Sequence, residues 1–237
     1  MPEASLQSLS ITAWSFAALL FRDRPFCDAL AASAIRTMGD FTAEHLSKIA
    51  WAVALLDVPD HPLRHAISAA SRAQITEMRS QSLANLAWAF ASIKFFDRPG
   101  FAAISSAAIQ QMNEFLGQEF AALAWSYALL GFANRPLRNA IAAAALPKIT
   151  VLGRQSLSNL AWSCATSAFF HVPLRDALSS ASIRKWREFG HVEGGCMASA
   201  LWSFNNEDCF RAWSHRMDDV WEARFSGARA PGAAPGV

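Results

Sequence analysis

Side-chain amides recur in this chain at a fixed spacing. Gln81, Gln118 and Gln155 lie 37 residues apart, and Gln7 lies two such steps before Gln81. Asn85 and Asn159 each follow a glutamine by four residues, and Lys48 holds the same place one step before Asn85. Ser126 and Ser163 come eight residues after Gln118 and Gln155, and Arg154 directly precedes Gln155. An amide carries both a donor and an acceptor and so can pair with the edge of a base. One such set per structural unit is how some helical repeat proteins read unpaired bases singly. The candidate RNA-binding residues are therefore Lys48, Gln81, Asn85, Gln118, Ser126, Arg154, Gln155, Asn159 and Ser163.

Other chemistry is not indicated. There is no Gly-rich phosphate loop, no H-E-x-x-H pair and no nucleophile elbow, so neither a catalytic residue nor a cofactor is expected. His191, Cys196, Cys209 and His215 match no zinc-ligand spacing, and no metal site is expected. With Cys27 and Cys164, the cysteines contain no C-x-x-C pair and no disulfide framework, in keeping with a reducing compartment.

What positions the amides is a row of tryptophans: Trp14, Trp51, Trp88, Trp125 and Trp162, each 37 residues after the last. A period of this length is the mark of a solenoid. One residue before each tryptophan is alanine (Ala13, Ala50, Ala87, Ala124, Ala161), and three after it is alanine again (Ala17, Ala54, Ala91, Ala128, Ala165). Large apolar residues fall five before and, in most repeats, two after, which is helical spacing. The pattern predicts a helix A from about seven residues before the tryptophan to six after. Eleven residues after each tryptophan stands a proline (Pro25, Pro62, Pro99, Pro136, Pro173), suited to the first turn of a second helix, B. Each unit is then an antiparallel helical hairpin that buries its apolar surface only by stacking on its neighbours.

The expected architecture is an all-α superhelical solenoid of 37-residue hairpin repeats. Residues 1–189 form five tandem repeats. Residues 190–226 read as a degenerate sixth repeat and a C-terminal helical cap, with Phe210, Trp213, Met217, Val220 and Trp221 on one stripe. Residues 227–237, rich in Gly, Ala and Pro, read as a disordered tail. On a helical wheel the positions seven before, three before and one after the tryptophan make one narrow polar strip on helix A. The tryptophan falls beside that strip, and the alanines around it predict packing between neighbouring A helices rather than base stacking.

Composition narrows the setting. At 53% hydrophobic, the 237 residues suffice for a large core. No run nears the roughly 18 apolar residues of a spanning helix, so no membrane insertion is expected. Residues 1–5 lack the basic and apolar regions of a secretory signal. The first repeat leaves no room for a transit peptide, so the chain reads as a fragment or as one whose address has been removed. Net charge is only +2, yet residues 79–189 hold eleven basic against five acidic residues. A basic half suits one end of a nucleic-acid track or an acidic protein partner.

The segment Leu83-Ala84-Asn85-Leu86-Ala87-Trp88-Ala89-Phe90-Ala91 and its copy Leu157-Ser158-Asn159-Leu160-Ala161-Trp162-Ser163 resemble the heptatricopeptide and octotricopeptide repeats. These are organellar α-hairpin arrays often found with FAST-kinase-like and RAP domains. The resemblance covers about residues 5–189. It implies binding of single-stranded or ribosomal RNA in a mitochondrion or plastid, in transcript stabilisation, processing, translation or ribosome assembly. It makes the helix A strip the RNA face and allows other subunits of a ribonucleoprotein as partners. No RAP module is expected in residues 190–237, so no activity attached to one is implied. The competing expectation is a protein-interaction scaffold whose groove holds a peptide or a neighbouring subunit.

Overall fold

The computed structural model describes residues 3–58, 60–167 and 171–185. Among these, regular structure is helical throughout, and the helices alternate between two kinds. The A helices are α1 (Glu3–Ala18), α3 (Ala43–Leu56), α5 (Ser80–Ser92), α7 (Gly117–Leu129) and α9 (Arg154–Thr166). The B helices are α2 (Arg24–Arg36), α4 (His61–Ala73), α6 (Arg98–Gln110), α8 (Arg135–Lys148) and α10 (Val172–Arg184). Every B helix begins 37 residues after the one before it, with proline in its first turn, as the sequence predicts. The expected sixth repeat, cap and tail lie outside the described residues. No helix among the described residues is long and apolar enough to cross a membrane.

Helix A ends one or two residues earlier than its apolar pattern predicts, because the sixth residue after the tryptophan turns left-handed. Leu20, Asp57 and Lys94 stand there at φ 52°, and Gly131 at φ 63°. The N–H of that residue and the next bond back into the last turn of the helix. In the third repeat Lys94 donates to the Ala91 carbonyl at 2.9 Å and Phe95 to the Phe90 carbonyl at 2.8 Å. These two bonds close the end of the helix as a Schellman motif. Glycine takes this conformation freely, whereas the other three residues bear a steric cost.

Helix B then starts on a capping side chain. Asp23, Asp60 and Asn134 accept from the N–H three residues on, at 2.8, 2.8 and 3.0 Å. Asp97 occupies the same place but turns its carboxylate to the Ser68 hydroxyl of the preceding repeat. Gly100 makes room for this: a Cβ there would meet Asp97 Oδ2 and Ser68 Oγ at 2.9 Å.

The A helices form one closely packed layer, α1 to α3 to α5 to α7 to α9, and the B helices a second and looser one. Alanine permits the close A-helix approach. Ala13 and Ala17 on α1 are fully buried, and among the described residues the A helix packed against α1 is α3, so this flank faces the following repeat. The opposite flank faces the preceding repeat and carries Ala52, Ala89 and Ser126, also fully buried. Between the layers Leu46, Leu83, Phe120 and Leu157 share one core with Leu30, Ile67, Ile104, Ile141 and Leu178.

A further bond recurs with the period. Gln74 and Gln111 donate to the carbonyls of Phe41 and Met78 at 2.6 and 2.9 Å. Lys148 and Lys185 donate to the carbonyls of Phe115 and Leu152, both at 2.7 Å. Each of these clasps ties the end of a B helix to the chain that leads into the A helix of its own repeat.

Candidate nucleic-acid interface

The layer of A helices leaves one face of each helix uncovered by its two neighbours and by helix B. Four positions line it: seven before the tryptophan, three before, the tryptophan itself and four after. This is an i, i+4, i+7, i+11 stripe along one side of a helix. Gln7, Gln81, Gln118 and Gln155 are exposed on it, with Glu44 in the corresponding place of the second repeat. Asn85, Asn159 and Lys48 are half-buried one turn on, where the first and fourth repeats place Ile11 and Ala122. Six of the nine predicted residues (Lys48, Gln81, Asn85, Gln118, Gln155 and Asn159) thus share the open face. Arg154 is exposed at its rim, as the first residue of α9.

Ser126 and Ser163 do not belong to it. They are 0% and 4% exposed, on the flank that meets the preceding A helix. Their hydroxyls bond back along their own helix to the carbonyls of Ala122 and Asn159, at 2.7 and 2.5 Å. A serine satisfied in this way fits a close helix contact as alanine does, and Ala52 and Ala89 occupy the same position in other repeats. Their place in the open strip is taken by the residue four after the tryptophan: Ala18, Leu55, Ser92, Leu129 or Thr166. Sequence reasoning missed this position because three of its five occupants are apolar, although its distance from the tryptophan marks it as a neighbour on the same face.

The tryptophans run along one edge of the strip, next to the alanine flank that faces the following repeat, where the wheel places them. They also pack on one another. Trp14 stacks on Trp51 with ring centroids 6.1 Å apart, and Trp125 meets Trp162 at 6.3 Å. Trp88 packs against the cluster of Ala91, Trp125, Ala128 and Trp162. The expected packing between A helices is therefore present, but unevenly. Trp125 and Trp162 are 3% and 9% exposed, Trp51 and Trp88 are half-buried, and Trp14 is 48% exposed.

Charge on the open face is slight. Lys48 Nζ lies 2.7 Å from Glu44 Oε1, and this bond holds the Glu44 carboxyl below the usual carboxylate range. Several cations of the basic half serve the fold. Lys148 and Lys185 hold clasps, Arg138 donates to the Ser167 carbonyl at 2.9 Å, and Arg98 lies 5.8 Å from the centre of the Phe132 ring. Exposed Lys94, Arg98 and Arg135 border the turns between A and B helices of the third and fourth repeats, and exposed Arg79 and Arg154 border the starts of α5 and α9. The geometry is a partly aromatic floor, charged only at the Lys48–Glu44 pair, with exposed cations near the ends of its helices.

Other groups offer little chemistry. Burial pushes the Cys164 thiol up to about 12, so it stays neutral and unreactive. It lines a small, mostly apolar cavity between the fourth and fifth repeats, with Tyr127, Phe132, Leu137 and Arg138. Among the described residues no three His, Cys, Asp or Glu side chains come together as a metal ion would require.

Compared with known proteins, the chain matches no family model and no curated protein, so its likeness to the heptatricopeptide and octotricopeptide repeats rests on the residues quoted above.

Proposed function

We propose that this chain binds single-stranded or ribosomal RNA along the open face of its A helices. It acts without catalysis in organellar RNA metabolism: transcript stabilisation, processing, translation or ribosome assembly, in a mitochondrion or plastid, alone or within a ribonucleoprotein. One observation carries the reading. Beside each tryptophan the open face holds a hydrogen-bonding residue seven before, glutamine in four repeats of five, and a varied residue three before. A constant contact with a varied neighbour in every unit is what reading one base per unit requires. Exposed Lys94, Arg79 and Arg154 stand near the ends of the A helices, where a backbone would pass, and the floor, charged only at the Lys48–Glu44 pair, is left to the bases.

A filter-binding series in increasing salt tests it. With three or four phosphate contacts at the edges, log K against log[salt] should have a slope of about −2 to −3. Failure to bind single-stranded RNA at low salt, or binding that ignores salt, removes the reading.

A second reading is favoured by the apolar side chains on the same face, Ile11, Trp14, Leu55 and Leu129, and by the pairing of Lys48 with Glu44. In that case the face docks a peptide or a neighbouring subunit of a larger complex. Such docking would persist in high salt, because its contacts are apolar.

A further inference from the structure

One repeat replaces the amides of the open face with charges. Seven before the tryptophan the other four repeats carry Gln7, Gln81, Gln118 and Gln155, and the second carries Glu44. Three before it, where the third and fifth repeats carry Asn85 and Asn159, the second carries Lys48. The two side chains share one side of α3 and are bonded, Lys48 Nζ to Glu44 Oε1 at 2.7 Å. The Glu44 side chain is 71% exposed and that of Lys48 36%, so both can meet a strand lying on this face. Helix stability explains the pair less well, since the other four A helices form without it and an exposed ion pair adds little.

The exchange changes what the position can recognise. An amide presents a donor and an acceptor and can turn to offer either, so Gln and Asn can meet any base edge. A carboxylate only accepts and an ammonium only donates. Because the two charges cancel, the pair gives no net attraction for phosphate, and its use to a strand lies at the base. A carboxylate beneath a polyanion is moreover repelled unless donors meet it. Among the four bases guanine alone carries two adjacent donors, N1–H and the N2 amino group, with an acceptor, O6, beside them. The Glu44 carboxylate can accept from both at once, as it would from an arginine fork, while Lys48 donates to O6. Adenine, cytosine and uracil each offer the carboxylate one donor group and make one bond fewer.

Resting on the RNA reading above, we propose that Glu44 and Lys48 make the second repeat a guanine-reading site. The repeats on either side, which meet the strand with amides, take their bases with little preference. A guanine in the strand then fixes its register on the array.

Fluorescence anisotropy of the full chain with short uridine RNAs carrying one guanosine, inosine or adenosine tests this. The guanosine strand should bind about tenfold tighter than the inosine strand, which lacks only the N2 amino group, and than the adenosine strand. Glu44→Gln with Lys48→Asn copies the third repeat into the second. That variant should keep the parent's helical circular dichroism and its affinity for plain uridine RNA, and should bind the three strands alike. Gln81→Glu with Asn85→Lys copies the second repeat into the third, and should make a strand with two neighbouring guanosines the tightest. No preference for guanosine in the parent, or a preference that survives Glu44→Gln with Lys48→Asn, overturns the guanine site and leaves the RNA reading standing. No binding of any RNA removes both.

Discussion

Lys148 reaches back 33 residues to the carbonyl of Phe115, making the same bond that Gln111 gives to Met78 one repeat earlier. An ammonium and an amide thus serve one purpose, which is to supply a donor at the end of a long side chain. Lys148→Met should lose the bond and destabilise the chain by about 1–2 kcal/mol in urea unfolding. Lys148→Gln should restore most of that loss, because glutamine already fills the role at Gln74 and Gln111. Equal losses in the two variants would mean that the contact is incidental.

The left-handed turn after helix A offers a test in both directions. Leu20 is exposed and stands at φ 52°, where glycine has no steric cost. Leu20→Gly should raise stability by about 0.5–1 kcal/mol, net of the extra freedom it gives the unfolded chain. Gly131→Ala, at φ 63°, should lower it by a similar amount. Thermal melts of the two variants should move to opposite sides of the parent.

The tryptophans should separate by depth. Trp125→Ala, at 3% exposure, should cost about 3–5 kcal/mol. Trp14→Ala should cost less than half as much, since much of its ring is already in water. A comparable loss at the two sites would show that Trp14 is buried in solution.

The serines and asparagines predicted together should also part company. Replacing both Asn85 and Asn159 with alanine should weaken binding of a preferred RNA by about 1 kcal/mol per residue. Ser126→Ala and Ser163→Ala should leave RNA affinity unchanged, because both hydroxyls are bonded within their own helices. Ser126→Leu should instead overpack the contact between α5 and α7, at about 1–3 kcal/mol of stability. Loss of RNA affinity in the two alanine variants, with melting unchanged, would return these serines to the interface.

Alkaline pH should weaken the fold through Cys164. Its thiol ordinarily titrates at 9.0, and burial raises it to about 12 in the folded chain. Between those values the unfolded chain releases a proton that the folded chain retains. Stability is therefore full below about pH 9 and falls as pH rises toward 12. Burial raises the Tyr127 hydroxyl as well, which adds to the same fall at its upper end. Melting temperature followed across this range should drop less steeply in Cys164→Ala than in the parent.

The period, both helices of each repeat and the prolines in the first turn of helix B were all legible in the sequence, because each is carried by one residue type at one spacing. The clasps were not. Gln74, Gln111, Lys148 and Lys185 share a donor and a length rather than an identity, so a comparison of residue types passes over them. The left-handed turn was hidden for the same reason: leucine, aspartate, lysine and glycine all fill it. At the site, a helical wheel placed the amides on the open face but could not separate that face from the flank beside it. Ser126 looks like a surface residue until the neighbouring helix is present. The five tryptophans differ in exposure although their motif is shared, and nothing in the motif marks which are buried.

The clasps also divide the chain. Each joins two residues 33 apart, and the short turns Ile75–Glu77 and Met112–Glu114 lie between one clasp and the next. A duplication or deletion whose junctions fall in those turns would carry each clasp with it intact. It would break only contacts between neighbouring units, which the incoming unit can remake because it presents equivalent flanks. Array length is thus a property that a single crossover can change, and a longer or shorter relative would differ by whole multiples of 37 residues.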